Sequence, residues 1–351
     1  MKLDTITQLQ NKLLEWYDGS ARTLPWRDNP LPYRVWISEI MLQQTRVDTV
    51  KPYFENFMAE LPTIQDLARV SDDKLLKLWQ GLGYYSRAIN LKKAANMILQ
   101  NFGGEMPSDI EALKSLPGIG PYSSGAIASI AFGVRIPAVD GNVLRVMARV
   151  TANRGDITNR LVKKEIEVLV EELLPKTRIG DFNQALMELG AIICLPNGLP
   201  KCADCPLKFF CKGYNQDLVT EIPFKSKKKA RKIENKTIFV IRYQDRIALR
   251  QRPHKGLLSK LWEFPHVAGH LSPEDCEKVV KEWNIKVRRV IPLDKSKHIF
   301  THLEWHMIGY SVLAEGGQEG DEFVWATEND IEEKYSIPTA FKTYVRSVFD
   351  D

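Results

Sequence analysis

Hydrophobic positions follow a helical period over the first three-fifths of this chain. Apolar residues recur three and four positions apart, as in the segment Val143–Val150. Turn residues separate such stretches, and they include Pro30 with Pro32, Gly81 with Gly83, Gly103 with Gly104, and the run 117–120. This pattern predicts an all-α domain over residues 1–213.

The hydrophobic period then changes to two. Residues 237–243 and 246–250 alternate in the manner of strands, and Gln244-Asp245 between them predicts a hairpin. Further elements are predicted as strands over 306–313 and 323–326 and as a closing helix over 339–348. The sequence therefore predicts a separate α+β domain over residues 236–351.

A basic stretch lies between the two patterns. Residues 225–232 contain six lysines and arginines in eight positions and offer no apolar face. We interpret 214–235 as a solvated linker; contact with a phosphate backbone is the alternative.

Composition sets broad limits on the function. A chain of 351 residues can form two domains with separate cores. No signal-peptide core or bilayer-length apolar run is evident, so we expect a cytoplasmic protein without a membrane partner. The formal net charge of +5 argues only weakly for an anionic partner.

Four cysteines within one short stretch carry the strongest chemical signal. They are Cys194, Cys202, Cys205 and Cys211, and prolines and glycine bend the chain between them. Both Zn²⁺ and a [4Fe-4S] cluster accept four thiolate ligands. Because one compact loop holds all four, we favour the larger cluster, with disulfides or unrelated buried thiols as the alternatives. Cys276 is expected to be a small core residue.

The segment Leu116–Tyr122 predicts two helices joined by a tight turn. Gly118 and Gly120 permit a sharp backbone turn and leave N–H groups uncovered near a helix start, which suits a phosphate. An ordinary helix connection explains the same residues equally well.

Two carboxylates are candidates for chemistry. Asp140 directly precedes a predicted helix, so its first role is that of an N-cap, and the helix start also favours its ionised form. In that form it could stabilise a developing sugar cation. Glu39 lies at the border of an apolar stripe, where partial desolvation would raise its pKa and suit a general acid. A surface glutamate is the alternative.

Together these residues resemble the helix-hairpin-helix DNA glycosylase superfamily with an iron–sulfur loop, and within it the adenine DNA glycosylase (MutY) family. The similarity covers nearly the whole chain. It is carried by the segments 24–27, 36–45, 81–88, 116–122, 139–142, 183–190, 261–265 and 300–302. It implies an all-α helix-hairpin-helix glycosylase domain with an iron–sulfur loop, followed by an α+β Nudix-like domain.

The resemblance also implies an activity. Such an enzyme hydrolyses the N-glycosidic bond of adenine paired with 8-oxoguanine or guanine in double-stranded DNA, after flipping the adenine out of the duplex. It implies a [4Fe-4S] cofactor, a monomer, and association with the nucleoid when bound to DNA.

The resemblance assigns roles to individual residues. Glu39 would protonate adenine and Asp140 would stabilise the sugar intermediate, which Tyr122 and Asn142 flank. The adenine pocket would comprise Arg22, Trp26, Leu42 and Glu188. Contacts to DNA would come from Gln44 and Tyr84, which enter the duplex, and from Gly118 and Gly120. Phe300, Thr301 and His302 would recognise 8-oxoguanine.

Two positions depart from the family pattern. Seven residues separate Cys194 from Cys202 where six are commoner, which leaves the path of the loop open. Thr301 stands where serine is commoner, and it keeps the hydroxyl.

Three other functions fit the sequence less well. An endonuclease III-like glycosylase and lyase for oxidised pyrimidines needs a lysine where this chain has Tyr122. A Nudix pyrophosphohydrolase needs a metal-binding glutamate array that the residues after Gly269 do not provide, so the second domain is expected to bind rather than cleave. A non-catalytic DNA-binding protein would not need Glu39 and Asp140 together.

Overall fold

The computed structural model describes residues 3–226, 230–316 and 322–349. The chain divides into two compact units. The first contains the chain up to residue 69 and residues 90–227, and the second contains residues 70–89 and the chain from 228 onward. Within the described residues, no helix has the length and apolar character needed to cross a membrane.

Helices dominate the chain up to residue 215, as the three- and four-residue spacing predicts. They are α1 (Leu3–Ser20), α2 (Pro32–Leu42), α3 (Val47–Glu60), α4 (Ile64–Arg69), α5 (Asp72–Leu78), α6 (Ser86–Asn101), α7 (Ile110–Ser115), α8 (Pro121–Phe132), α9 (Gly141–Thr151), α10 (Arg160–Leu173), α11 (Ile179–Ile192) and α12 (Lys212–Asn215). Helix α5 and the start of α6 belong to the second unit.

Side-chain caps determine where several of these helices begin. Asp109 accepts a bond from the Ala112 amide at the start of α7, and Asn159 caps α10 in the same manner. Such caps satisfy amides that have no partner within the helix. They fix the first residues of these two helices.

The core of the first unit brings α9 and α11 together. Leu13 of α1, Val143 of α9 and Phe182 of α11 are fully buried in one cluster. Gly190 permits close packing of α11 on α9, since a Cβ at this position would lie 2.6 Å from the Cβ of Asn142. A glycine at 190 therefore sets the position of the first turn of α9.

The second unit is built on a mixed sheet. Its strands are β1 (Lys232–Tyr243), β2 (Arg246–Gln251), β3 (Trp262–Glu263), β4 (His266–Ala268), β5 (Lys286–Ile299), β6 (Leu303–Gly316) and β7 (Val324–Thr327). The main order is β3-β2-β1-β6-β5, with β4 on β1 and β7 on β2. Strands β1 and β6 run parallel, and the other pairs are antiparallel.

Helices cover this sheet. They are α13 (Pro273–Glu282), α14 (Glu328–Glu333) and α15 (Lys342–Phe349), the last preceded by a 3-10 turn at Thr339–Phe341. Apolar residues of β1 alternate between two clusters: Ile238 and Val240 pack with Phe341, whereas Phe239 and Ile241 pack with Cys276. This alternation explains the period of two in the sequence. Cys276 is fully buried, as expected for a small core residue.

The predicted hairpin is confirmed, because Tyr243 pairs with Arg246 and Gln244 adopts a left-handed backbone. The predicted order of an all-α part followed by an α+β part with a mixed sheet is also confirmed. Strands β3, β4 and β5 and helices α13 and α14 were missed. Two segments within the stretch interpreted as a linker are ordered, since Ile222 is buried in the first unit and β1 begins at Lys232.

Candidate active site

One open cavity of about 800 Å³ in the first unit collects most of the predicted site residues. Its walls come from the end of α2, the hairpin before α8, the starts of α8 and α9, and α11. The predicted residues that line it are Arg22, Trp26, Glu39, Leu42, Gln44, Gly118, Gly120, Tyr122, Asp140, Asn142 and Glu188. Residues far apart in the sequence therefore share one site.

Glu39 is a buried carboxyl with a raised pKa in this cavity. It lies on α2 with only 6% of its surface exposed, and burial raises its pKa to about 7. The nearby Asp140 charge raises it too, whereas the hydrogen bond from Tyr122 and the charge of Arg27 lower it. The prediction of a desolvated carboxyl with a raised pKa is confirmed, and such a group is partly protonated at neutral pH.

Tyr122 holds Glu39 in place. Its hydroxyl donates to Glu39 Oε2 over 2.7 Å and lies 3.6 Å from Met187 Sδ. Burial raises the pKa of Tyr122 well above its ordinary value, with the Glu39 and Asp140 charges acting in the same direction. The phenol therefore keeps its proton and acts as a donor.

Asp140 caps α9, as predicted. Its Oδ1 accepts from the amides of Asn142 and Val143, both at 2.8 Å, and its Oδ2 accepts from Asn142 Nδ2 at 2.8 Å. These bonds favour the ionised form, but burial outweighs them and raises the pKa of Asp140. The expectation that the helix start sets its charge is therefore incomplete.

Asn142 is oriented by a second contact. Its Oδ1 accepts from Arg145, which also donates to the carbonyls of Gly190 and Cys194. Because the carbonyl oxygen of Asn142 is engaged there, its Nδ2 group faces Asp140. The arginine thus fixes both polar side chains at the start of α9.

A cationic clamp surrounds Glu188 on α11. Arg22 donates through Nε at 2.6 Å and through Nη2 at 2.9 Å, and Arg27 donates at 2.9 Å. Burial acts to raise the pKa of Glu188, but these partners outweigh it and hold the pKa below its ordinary value. Glu188 is thus an ionised acceptor at the cavity wall.

The glycine hairpin has the predicted form. Helix α7 ends at Ser115, Gly118 adopts φ +83°, and Gly120 precedes α8 without a side-chain cap. Amides at the start of α8 are thus left for another acceptor, which is the arrangement that suits a phosphate. Gln44 also has a left-handed backbone, with φ +59°, directly beyond α2. Such a conformation in a non-glycine residue is common at functional sites.

The four clustered cysteines line a second, smaller cavity of the first unit. Its other walls are largely apolar and include Val146, Leu189 and Leu207. All four are free thiols, so the disulfide alternative has no support. Burial raises the pKa of Cys205 to about 12, and the other three cysteines act in the same direction. Among the described residues, no three acidic, cysteine or histidine side chains converge closely enough to hold a single metal ion.

The seven-residue gap has a clear path. The Cys194 amide donates to Leu189 at 2.7 Å, and the Lys201 amide donates to Ile193 at 2.9 Å. Between these points Gly198 has φ +72°, and Leu199 is 77% exposed. The residues between Cys194 and Cys202 therefore form a solvent-facing bulge between two anchored ends.

The remaining predicted residues lie in the second unit. Tyr84, half exposed with φ +48°, exchanges a 3.0 Å hydrogen bond with Thr301 Oγ1. Phe300 packs edge-on against His298 and Trp305, whereas His302 is exposed. Two segments that the resemblance assigns to DNA contact are therefore adjacent within this unit.

Several cavity residues were missed in the sequence. Arg27 and Gln184 both line the cavity, although each lies inside a motif that carried the resemblance. Arg27 donates to Gln184 over 3.2 Å and lies over the Tyr17 ring at 5.5 Å. The motifs contain both residues, but only the fold shows that Arg27 donates to Glu188 and that its charge acts on Glu39.

Comparison with known proteins identifies the family of this chain. The chain matches "HhH-GPD superfamily base excision DNA repair protein" over residues 37–172 and "NUDIX domain" over residues 237–347. Adenine DNA glycosylase of Homo sapiens is 35% identical over 89% of this chain and 68% of its own length. The adenine DNA glycosylase of Schizosaccharomyces pombe is 32% identical over 98% of this chain and 91% of its own length. The adenine DNA glycosylase of Buchnera aphidicola subsp. Baizongia pistaciae is 38% identical over 83% of this chain and 82% of its own length.

Solved structures agree on the fold. A thermostable thymine-DNA glycosylase superposes with a TM-score of 0.56 at 30% identity, over 61% of this chain and 98% of that one. The protein of an endonuclease III–DNA complex superposes with a TM-score of 0.52 at 23% identity, over 62% of this chain and 99% of that one. At this identity the similarity shows a shared fold and nothing more.

The matched family model and the curated relatives define a base-excision DNA glycosylase of the helix-hairpin-helix superfamily, a hydrolase of N-glycosyl bonds. Within that superfamily the chain belongs to the adenine DNA glycosylase family. Only a shared fold supports the alternative of an endonuclease III-like enzyme.

Proposed function

We propose that this protein excises adenine opposite 8-oxoguanine or guanine in duplex DNA by simple hydrolysis. The observation that carries the proposal is the grouping of Glu39, Tyr122 and Asp140 in one cavity, with the pKa of Glu39 near neutrality. A base inside a duplex cannot reach such a cavity, so the adenine must be flipped out.

The chemistry follows from the two carboxyls. Protonated Glu39 would transfer its proton to a ring nitrogen of adenine as the glycosidic bond breaks, which makes the base a better leaving group. Asp140, held by three N–H donors, would stabilise the positive charge that develops on the sugar. Water would then add at the sugar carbon and give up a proton, which the Glu39 carboxylate left by the first step would accept. Asn142 keeps Asp140 oriented, and Tyr122 keeps Glu39 oriented.

Base recognition would use the opposite wall. Ionised Glu188 is an acceptor that suits the exocyclic amino group of adenine, with Arg22, Trp26 and Leu42 forming the rest of the pocket. The Gly118–Gly120 hairpin would hold a phosphate, and Gln44 and Tyr84 would enter the duplex. Phe300, Thr301 and His302 would contact the opposing 8-oxoguanine.

A [4Fe-4S] cluster fits the cysteine cavity. Four thiols line one space with apolar walls, and their donor chemistry matches the ligands of such a cluster. When bound, it would supply iron–thiolate bonds that cross-link the loop from Cys194 to Cys211. No bond-breaking step is assigned to it.

Hydrolysis without strand cleavage is part of the proposal. Tyr122 stands where a Schiff-base lysine would be needed, and Lys163 is the one amine among the described residues that line the cavity. Borohydride trapping with adenine-containing duplex tests this point. Efficient covalent capture would show lyase chemistry and refute the hydrolytic mechanism.

The decisive experiment is a single-turnover assay on adenine opposite 8-oxoguanine, guanine and thymine. We expect Asp140→Asn to lower the rate of adenine release by at least about 10²-fold, the lower end for the loss of one transition-state electrostatic contact, with DNA binding retained. Asp109→Asn, at an exposed helix cap, is the matched control. Full activity of Asp140→Asn would remove Asp140 from the mechanism.

A further inference from the structure

Arg149 connects the cysteine loop with the end of the first unit. It lies on α9 and is 4% exposed. Its Nη1 donates to Cys194 Sγ over 3.2 Å and to the Leu195 carbonyl over 2.9 Å, and its Nε donates to the Ile222 carbonyl over 2.7 Å. One guanidinium therefore contacts a predicted cluster ligand and the segment that leads out of the unit.

The charge of Arg149 needs an explanation. Within the described chain its guanidinium has no carboxylate partner, and its acceptors are two carbonyls and one sulfur. A buried cation without an anion is costly. A cysteine that is bound to iron is a thiolate, so ligation of Cys194 would supply the missing negative partner 3.2 Å away.

The backbone of Arg149 contacts the other end of the same loop. Its carbonyl lies 3.5 Å from Cys211 Sγ, and a Cβ on Gly213 would come within 2.5 Å of that oxygen. Helix α12 is thus packed directly against α9. The side chain and the main chain of one residue contact the first and the last of the four cysteines.

The far end of this connection is the segment 218–224. Ile222 is 1% exposed, its amide bonds to Leu218, and Phe224 accepts from the Ile157 amide over 3.1 Å. The bond from Arg149 to the Ile222 carbonyl fixes the middle of this segment. Beyond it the chain continues to the second unit.

We propose that Arg149 is a positioning residue of the cluster site, which tunes the cluster through Cys194 and makes the attachment of segment 218–224 depend on cluster binding. This inference rests on the proposed [4Fe-4S] cofactor. Hydrogen bonds to cluster sulfurs raise the reduction potential, because they stabilise the more negative, reduced state. A residue that only fills space would not affect that potential.

The test uses the full-length chain loaded with iron and sulfide, as wild type, Arg149→Gln and Arg149→Lys. Arg160→Gln, an exposed position on α10, is the matched control. Redox titration followed by electron paramagnetic resonance should give a more negative midpoint potential for Arg149→Gln. Arg149→Lys keeps the charge, and it should lie between Arg149→Gln and the wild type.

Hydrogen–deuterium exchange measures the other half of the proposal. Loss of the bond to Ile222 should speed amide exchange in 218–224 by about tenfold, as expected for a hydrogen bond worth roughly 1.4 kcal/mol. In wild type, removal of the cluster with a chelator should cause the same increase, while α1 exchanges at its original rate. The chelation experiment does not depend on the folding of a variant.

The outcomes separate the two proposals. A chain that takes up no iron would refute the cofactor assignment and this inference together. An iron-loaded Arg149→Gln variant with the wild-type potential, or unchanged exchange in 218–224 after chelation, would refute the role of Arg149 while leaving the cofactor in place.

Discussion

The state of the active site at neutral pH depends on a few named contacts. Glu39 is buried and carries a raised pKa, and the hydroxyl of Tyr122 is the partner that most strongly opposes that rise. Glu39 must be protonated to act as an acid, and the protonated fraction falls as the pH rises above its pKa. The pKa of Glu39 therefore depends on a contact with Tyr122, which lies 83 positions away in the sequence.

This arrangement predicts a pH dependence. With the pKa of Glu39 near 7, the single-turnover rate should fall as the pH rises through about 7. Tyr122→Phe removes a hydrogen bond that lowers this pKa, so the fall should move to higher pH. Single-turnover rates measured between about pH 5 and pH 9 check this, with Tyr33→Phe at the start of α2 as the control. A fall at the same or lower pH in Tyr122→Phe would contradict the assignment.

A second buried group makes the stability of the second unit depend on pH. Burial lowers the pKa of His266 to about 4. The unfolded chain binds the proton at higher pH than the folded one, so stability should be full above about 6.5 and fall as the pH drops towards 4. The expected loss is roughly 2–4 kcal/mol. His266→Phe should flatten this dependence in denaturant unfolding, whereas exposed His254→Phe should not. An equal slope in both variants would rule out His266 as its origin.

At the scale of elements, the sequence predicted what local patterns determine. The helical period, the glycine hairpin before α8 and the β1–β2 hairpin depend on spacing and turn residues, and all three were found. Strand β5 was missed because it is charged and half exposed, with Pro292 in its middle, so it lacks a clear alternation. Such a sequence is tolerated at the edge of a sheet, where β5 lies.

The candidate site was predictable to a similar extent. The resemblance supplied residues of the right chemistry, and the structure places eleven of them around one cavity. The contacts of Arg27, Arg145 and Arg149 were not predictable, because each arginine meets partners that are distant in sequence. No local pattern specifies such contacts.

Close packing of α11 on α9 yields a prediction for an element. A Cβ added at Gly190 would lie 2.6 Å from Asn142 Cβ, so Gly190→Ala should displace the start of α9. Overpacking of this kind costs about 1–3 kcal/mol, and the rate of adenine release should fall because Asp140 and Asn142 move. Gly19→Ala, where a Cβ meets nothing within 4 Å, is the control. Unfolding midpoints and single-turnover rates that match wild type would show that the contact relaxes without consequence.

At the scale of the whole molecule, the division into units does not follow the chain order. Residues 70–89 lie inside the helical part of the sequence but form one unit with the chain after 228. Within this unit Lys260 pairs with Asp72 at 2.6 Å, Gln80 donates to the Ile337 carbonyl at 3.1 Å, and Tyr84 meets Thr301. The loop proposed to enter DNA is thus positioned by the domain proposed to recognise 8-oxoguanine.

The ion pair between Lys260 and Asp72 tests this organisation. Both side chains are about one-third exposed, so the pair should be worth no more than about 1 kcal/mol, and its loss should leave the fold intact. We expect Asp72→Asn and Lys260→Gln each to lower the preference for adenine opposite 8-oxoguanine over adenine opposite guanine by up to about fivefold. Because both remove the same contact, the double variant should be no worse than either single one.

Single-turnover rates on the two duplexes give this preference for all four proteins of the cycle. Lys114→Gln, which breaks an exposed pair with Glu111 in the first unit, is the control and should match wild type. Additive effects of the two substitutions would mean that Asp72 and Lys260 act separately. An unchanged preference throughout would mean that helix α5 does not transmit recognition from the C-terminal residues to Tyr84, even if the enzyme itself discriminates between the two duplexes.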